Sequence, residues 1–136
     1  MTRLKGHVRL AALVAVVAML GVVGCKKVSP EEAALLAAKG YYTHLAKGEY
    51  QQFLEGKAGS DSLPDDYREQ LLVAYAQFAD RQQREHGGIS EVQANTASTD
   101  SLLHCTNAFL ILCYGDSTQE EIVVPMVEHD GRWRMK

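Results

Sequence analysis

A chain whose first half is periodic at three and four residues, and whose second half alternates at two, is an α+β protein. The expected architecture is three N-terminal helices packed on a curved antiparallel sheet of about four strands. Three observations in the 136 residues carry this reading. Ser29, Pro30, Glu31 and Glu32, and again Ser62 to Asp65, are helix-start signatures ahead of amphipathic runs. Gly87 and Gly88 mark the point where the period changes from helical to extended. Asp130 and Gly131, between two alternating segments, form the strongest hairpin signal in the chain.

Ahead of these elements, Arg3, Lys5 and Arg9 form a basic start, and Leu10 to Val23 is an unbroken run of apolar residues and glycine. Such a run is too short to span a bilayer comfortably and reads as an export signal. Gly24 followed directly by Cys25 looks like the lipobox of bacterial lipoproteins, whose cysteine receives lipid such as palmitate and becomes the first residue. An uncleaved anchor or an ordinary cleavage site would be the competing readings. The run's length argues against the first, and the position of Cys25 against the second. The expected division is a signal peptide over 1–24, a lipidated cysteine and short tether over 25–29, and one domain over 30–136. Several acyl chains, at about 0.8 kcal/mol per buried methylene, would hold the mature chain permanently at a membrane. The expected location is the bacterial cell envelope, most naturally the outer membrane on its periplasmic or surface face.

Without residues 1–24 the chain keeps 112 residues, enough for one domain burying roughly two-thirds of its unfolded surface. The departing segment has three basic residues and no acid, so the formal charge of −3 becomes −6. No basic face remains to neutralise phosphates, which excludes nucleic acid as a partner. Lys26 and Lys27 sit at the lipid end, where they can lie against anionic headgroups. Cys105 and Cys113 on one extended strand would stand ~26 Å apart, too far for a disulfide, so two separate buried thiols are expected. No CxxC or HxxxH spacing suggests a metal, and no cofactor is expected.

Helix one follows Pro30, with a stripe of Ala34, Leu35, Ala38, Tyr41, Tyr42 and Leu45, and Gly48 ends it. Glu49 to Glu55 suggests a short second helix burying Tyr50, Phe53 and Leu54. Helix three is expected over Leu63 to Glu85, with Tyr67, Leu71, Tyr75, Phe78 and Gln82 on its core face. Strands then follow: a weak one over Ile89 to Ala97, a long one over Leu102 to Tyr114, and two more over Gln119 to His129 and Arg132 to Lys136.

The turns set a register. A two-residue turn at Asp130 and Gly131 pairs Glu128 with Trp133 and Met126 with Met135. A turn centred on Asp116 and Ser117 pairs Cys105 with Glu128, Asn107 with Met126 and Phe109 with Val124. One face then carries Leu103, Phe109, Ile111, Ile122, Val124, Met126, Trp133 and Met135, the surface for the helices to cover. Asn107, Cys105 and Glu128 interrupt it with polarity, while Pro125 marks a bulge or an edge. The other face carries Leu110, Leu112, Tyr114, Val123 and Val127, apolar enough to suggest a two-fold dimer. His104 falls opposite His129 there, as an ordinary surface pair.

Tyr41, Tyr42, Leu45, Gly48, Tyr50 and Phe53, then His86 to Ile89, then Val124 to Met126 with Asp130, Gly131 and Trp133, occur in a distinctive order. In this order the chain resembles the nuclear transport factor 2-like, cystatin-like cone fold. More narrowly, it resembles small lipoproteins of Bacteroides-type bacteria, some labelled lumazine-binding-like. The resemblance implies helices over a concave sheet, a frequent dimer and a pocket at the open end. It implies no reaction, since such folds host enzymes, binding modules and inert scaffolds.

Three functions follow as expectations. The first is a non-catalytic envelope module binding a small molecule or an envelope protein, with a pocket formed by Asn107, Glu128, Cys105, Trp133 and Tyr75. The second is a cone-fold enzyme of the isomerase or dehydratase type, with Glu128 as base and Asn107 as oxyanion donor. The third is a structural dimer through Leu110, Leu112, Val123 and Val127. A tetratricopeptide-like helical hairpin over Ala34 to Phe53 ranks below all of these, because no second copy follows it.

Overall fold

The computed structural model describes residues 27–136, so the export signal, Cys25 and its lipid lie outside the described residues. Three α-helices, α1 (Pro30–Ala46), α2 (Tyr50–Glu55) and α3 (Asp65–His86), precede four strands, β1 (Ile89–Asp100), β2 (Cys105–Tyr114), β3 (Gln119–His129) and β4 (Arg132–Met135). The strands form one antiparallel meander in the order β1-β2-β3-β4. No helix among the described residues is long and apolar enough to cross a membrane.

Helix α1 begins as its sequence dictates. The Ser29 side chain accepts the Glu32 amide at 3.1 Å, and Pro30 occupies the first turn, where its missing N–H costs nothing. Ala34, Ala38 and Leu45 are buried, and the helix lies across all four strands. Two small residues at four-residue spacing let it approach the sheet closely. Tyr41 ties its far end to the last strand, donating from its hydroxyl to the Trp133 carbonyl at 2.6 Å. The Tyr41 ring packs against Gly56, where a Cβ would collide with it. Immediately after α2, Met135 N donates to Gly56 O and Ala58 N to Met135 O, each at 2.7 Å, so residues 56–58 cover the outer edge of β4.

Helix α3 departs from expectation. Its start is capped by no side chain, Ser62 belonging instead to a short 3-10 turn, and none of its residues is buried. Leu71, Tyr75, Phe78 and Gln82 are only half-buried, and Tyr67 is exposed. The physical reason is that α1 already fills the sheet's inner face. Helix α3 rests on α2, on one edge of α1 and on the start of β1, roofing the cone without entering its core.

The β3–β4 hairpin has the expected register, Met126 facing Met135 and Glu128 facing Trp133. Asp130 and Gly131 both have positive φ, at 51° and 75°, the pair of values a tight two-residue hairpin turn requires. The β2–β3 register is displaced by one residue from the sequence reading: Thr106 faces Met126, Ala108 faces Val124 and Leu110 faces Ile122. The connecting loop has three residues, Gly115 to Ser117, with Ser117 left-handed at φ 71° and Tyr114 N donating to Thr118 O. Because side chains alternate, that single extra residue exchanges the two faces of β2. Leu110, Leu112 and Tyr114, expected outside, are core, together with Ala108, Val124, Met126 and Met135. Phe109 and Ile111, expected inside, lie half-buried on the outer face, and Leu103 is exposed in the turn before β2. Strand β1 runs three residues further than expected, to Asp100, whose carboxylate accepts the Leu102 and Leu103 amides and turns the chain.

Candidate ligand pocket at the mouth of the cone

Beyond the pair of Met126 with Met135, β4 stops, while β3 continues back towards its own start at Gln119. The sheet is therefore one strand short on this side, and the three helices meet over the gap. Tyr42 from α1, Phe53 from α2 and Tyr75 from α3 form a chain of edge-to-face rings. Their centroids are 5.2 Å and 4.9 Å apart and their planes cross at 82° and 87°. Val124 and Met135 make the floor, with Val123, Pro125, Lys57 and Lys136 at the rim. The hollow measures about 260 Å³. An apolar, aromatic wall with a few polar groups at its lip is the composition of small-molecule sites.

The electrostatics of the cup are simple. Burial raises the pKa of Tyr42, with the neighbouring Tyr75 adding to it, and burial likewise raises that of Tyr75, with Tyr67 adding. Both phenols stay protonated at physiological pH, so they serve as hydrogen-bonding hydroxyls and not as bases.

The residues singled out from the sequence are dispersed. Tyr75 lines the cup. Trp133 is half-buried next to the floor residue Met135 and is held through its carbonyl by Tyr41. Asn107 lies on the outer face of the sheet, where the buried Cys105 thiol approaches its Oδ1 at 3.8 Å. Glu128 is exposed near the end of β3 and has the opposite side-chain parity from Asn107's partner Pro125, so the two point to opposite faces. The displaced register that moved Leu110 inwards carried Asn107 outwards, and with it went the geometry for a base and an oxyanion donor acting together. Cys113 is free like Cys105, but only half-buried. His129 contacts Asp130 at 3.3 Å, and His104 is exposed in the turn before β2. Tyr42 and Phe53 were legible only as stripe residues, since nothing local shows that separate helices bring their rings together.

A second group of side chains pins the narrow end. His86, the last residue of α3, stacks on Tyr114 with ring centroids 4.8 Å apart, and its Nδ1 lies 3.0 Å from Asp116 Oδ2. Gly115 N donates to Gly88 O and Asp116 N to His86 O. A Cβ on Gly115 would fall 2.5 Å from Gly87 O, so glycine is needed for this approach. The Tyr114 hydroxyl donates to Glu120 at 2.7 Å, and burial first, then this bond, push its pKa up. The Thr118 hydroxyl and amide, then His86, hold the Asp116 carboxyl down at about 2. A carboxylate with a depressed folded pKa stabilises the fold above its unfolded pKa of 3.8, and that contribution is lost as pH falls through about 2. Asp116→Asn is accordingly expected to flatten the pH dependence of the thermal midpoint between pH 4 and 2. An unchanged slope in acid melts would show that the pin contributes nothing.

No family model matches the sequence, and no curated protein matches it. Among solved structures, a Campylobacter jejuni protein assigned provisionally as an NTF2-like transpeptidase superposes with a TM-score of 0.57 at 14% identity, over 72% of this chain and 92% of its own. At that identity the likeness is one of fold. With three helices roofing a curved four-stranded antiparallel sheet, the described chain has the nuclear transport factor 2-like fold.

Proposed function

We propose that this chain is a lipid-anchored protein of the bacterial cell envelope whose single domain binds a small, largely apolar molecule in the aromatic cup at the mouth of the cone. The observation that carries the reading is the convergence of Tyr42, Phe53 and Tyr75, one from each helix, over a gap in the sheet. A scaffold with no ligand would gain by closing such a hollow with a larger side chain. Binding fits the cup better than catalysis, because its lining side chains include two neutral phenols and two lysines and no carboxylate or imidazole side chain. The anchor reading rests on Gly24 and Cys25 and on the short tether from Lys26 to Ser29, which keeps the domain close to the membrane.

The test uses the full chain in detergent micelles and a fluorescent naphthalene sulfonate as the probe. Saturable binding is expected at micromolar to millimolar probe, weakened at least about tenfold by Tyr75→Ala. Equal binding by both proteins would remove the cup from consideration. In cells, Cys25→Ser is expected to move the protein from the membrane fraction to the soluble one, and retention in the membrane would refute the lipid anchor.

A dimer through the outer face is a second reading, supported by Phe109, Ile111 and Val127, half-buried there, and by Val123, 51% exposed. These replace Leu110 and Leu112, which belong to the core. A monomer in sedimentation at high concentration would exclude it.

A further inference from the structure

Leu102 and Leu103, in the turn between β1 and β2, are the two most exposed large apolar side chains among the described residues, at 89% and 59%. They stand at the end of the molecule where α1 begins. In an antiparallel meander the end of β1, the start of β2, the end of β3 and the start of β4 share one end. The first turn of α1 is bonded to that end, the Thr99 hydroxyl donating to Glu31 Oε1 at 2.7 Å. Leu102 follows Thr99 so closely that it lies within about 11 Å of this bond along the chain. Val28, just ahead of α1, is exposed as well.

The turn is not slack. The Asp100 carboxylate accepts the Leu102 amide at 2.9 Å and the Leu103 amide at 3.0 Å, and His104 closes the turn in a left-handed conformation, at φ 50°. That conformation is uncommon for a residue with a side chain. Two adjacent leucines held out on a bonded turn add little to the core, and contiguous exposed apolar surface marks a contact site. The tether says which. Only Lys26 to Ser29 separate Cys25 from Pro30, so a lipid on Cys25 holds the start of α1 within about 18 Å of the bilayer. The charges at this end give no attraction to an anionic surface, since Glu31, Glu32, Asp100 and Asp130 outnumber Lys27 and Arg132. Apolar contact is what it offers.

We propose that the β1–β2 turn docks on the membrane that carries the anchor, with Leu102 and Leu103 entering the boundary between headgroups and acyl chains and Val28 beside them. This rests on the lipid at Cys25 and adds an orientation to it. The lipid supplies attachment, and the leucines supply a second contact at the high effective concentration that a short tether enforces. The strands then rise from the membrane, and the narrow end, with His86 and Asp116, faces away from it. Val124, on the floor of the cup, stands about 17 Å up β3 from His129, at ~3.3 Å per residue, so the cup is held clear of the acyl chains.

The experiment places the processed full chain, with its own anchor, in nanodiscs of neutral phosphatidylcholine containing lipid spin-labelled on the acyl chain, and reads paramagnetic broadening. The Leu102 and Leu103 methyl signals are expected to broaden at least about fivefold more than those of Val73 and Val123, which are also exposed but lie in the middle of α3 and β3. Adding anionic phosphatidylglycerol is expected to leave that contrast unchanged. Leu102→Ser combined with Leu103→Ser is expected to reduce broadening of the Ser101 and His104 amides at least about threefold, with the thermal midpoint and recovery with the discs unaltered. Equal broadening of Leu102, Leu103, Val73 and Val123 in the unaltered chain overturns the docking and leaves the anchor standing. So does a contrast that appears only with anionic lipid, or a lowered midpoint in the double variant, which would show the leucines packed within the domain. A chain that does not stay with the discs at all refutes the anchor, and the docking with it.

Discussion

Leu110→Ala is expected to lower stability by about 2–5 kcal/mol, and Ile111→Ala by only about 1 kcal/mol, although the two are neighbours in a strand of nearly uniform hydrophobicity. Leu110 is fully buried in the core under α1, and its removal leaves a cavity that the short side chains of Ala108 and Val124 in the same cluster cannot fill. Ile111 points to the outer face and is only half-buried, so its truncation forfeits part of one transfer free energy and opens no cavity. Urea denaturation of the two variants, compared at equal slope, checks this directly. The reverse order of costs would restore the register read from the sequence alone, and with it the opposite assignment of faces. A large loss at both positions would show that the outer face is covered in solution, the outcome a stable dimer produces.

The second large effect is expected at Gly56. Its added methyl in Gly56→Ala meets the Cδ1, Cγ and Cε1 atoms of Tyr41, inside van der Waals contact. Relief requires Tyr41 to tilt, and tilting breaks the 2.6 Å bond from its hydroxyl to Trp133 O, the tie between α1 and β4. A cost of about 1–3 kcal/mol is expected from overpacking. Because one ring mediates it, the cost is not additive: in a Tyr41→Ala background the same Gly56→Ala change is expected to shrink to about 0.5 kcal/mol or less. A double-mutant cycle giving full additivity would place the cause elsewhere, for example in the backbone freedom of the glycine itself. The same segment reaches the proposed ligand cup, since Gly56 O also accepts from Met135 N, and Met135 lines its floor.

Much of the fold was legible because the local signals agreed with one another. Ser29 and Pro30 begin α1, Gly87 ends α3 in a left-handed conformation, and Asp130 with Gly131 closes the β3–β4 hairpin. The β2–β3 turn was less legible for a definite reason. Ser117 takes a left-handed conformation that serine rarely adopts, supported by Asp116, whose side chain accepts both the amide and the hydroxyl of Thr118. A left-handed serine gives no sequence warning, and β2 offers none either, since apolar residues occupy both of its faces. A one-residue error in such a strand leaves the hydrophobic count nearly the same and reverses every side chain. The pocket inherited that error. Asn107 and Glu128 were linked through the register and separate with it, whereas Tyr75 was read from helical periodicity alone and lines the cup. The looseness of α3 was illegible on other grounds. Its aromatic stripe is real, but α1, rich in alanine, sits closer to the sheet and leaves α3 only the helices and one strand to rest on.

The aromatic cup lies beside the stretch of β3 that β4 does not pair, and amide hydrogen exchange on the free chain tests that arrangement most directly. Ile122 and Val124 are expected to be protected by their bonds to β2, and Val123 and Glu121 to exchange at least about a hundredfold faster from the same strand. Equal protection across Glu121 to Val124 would contradict it and require that another segment or a second copy already pairs with that stretch.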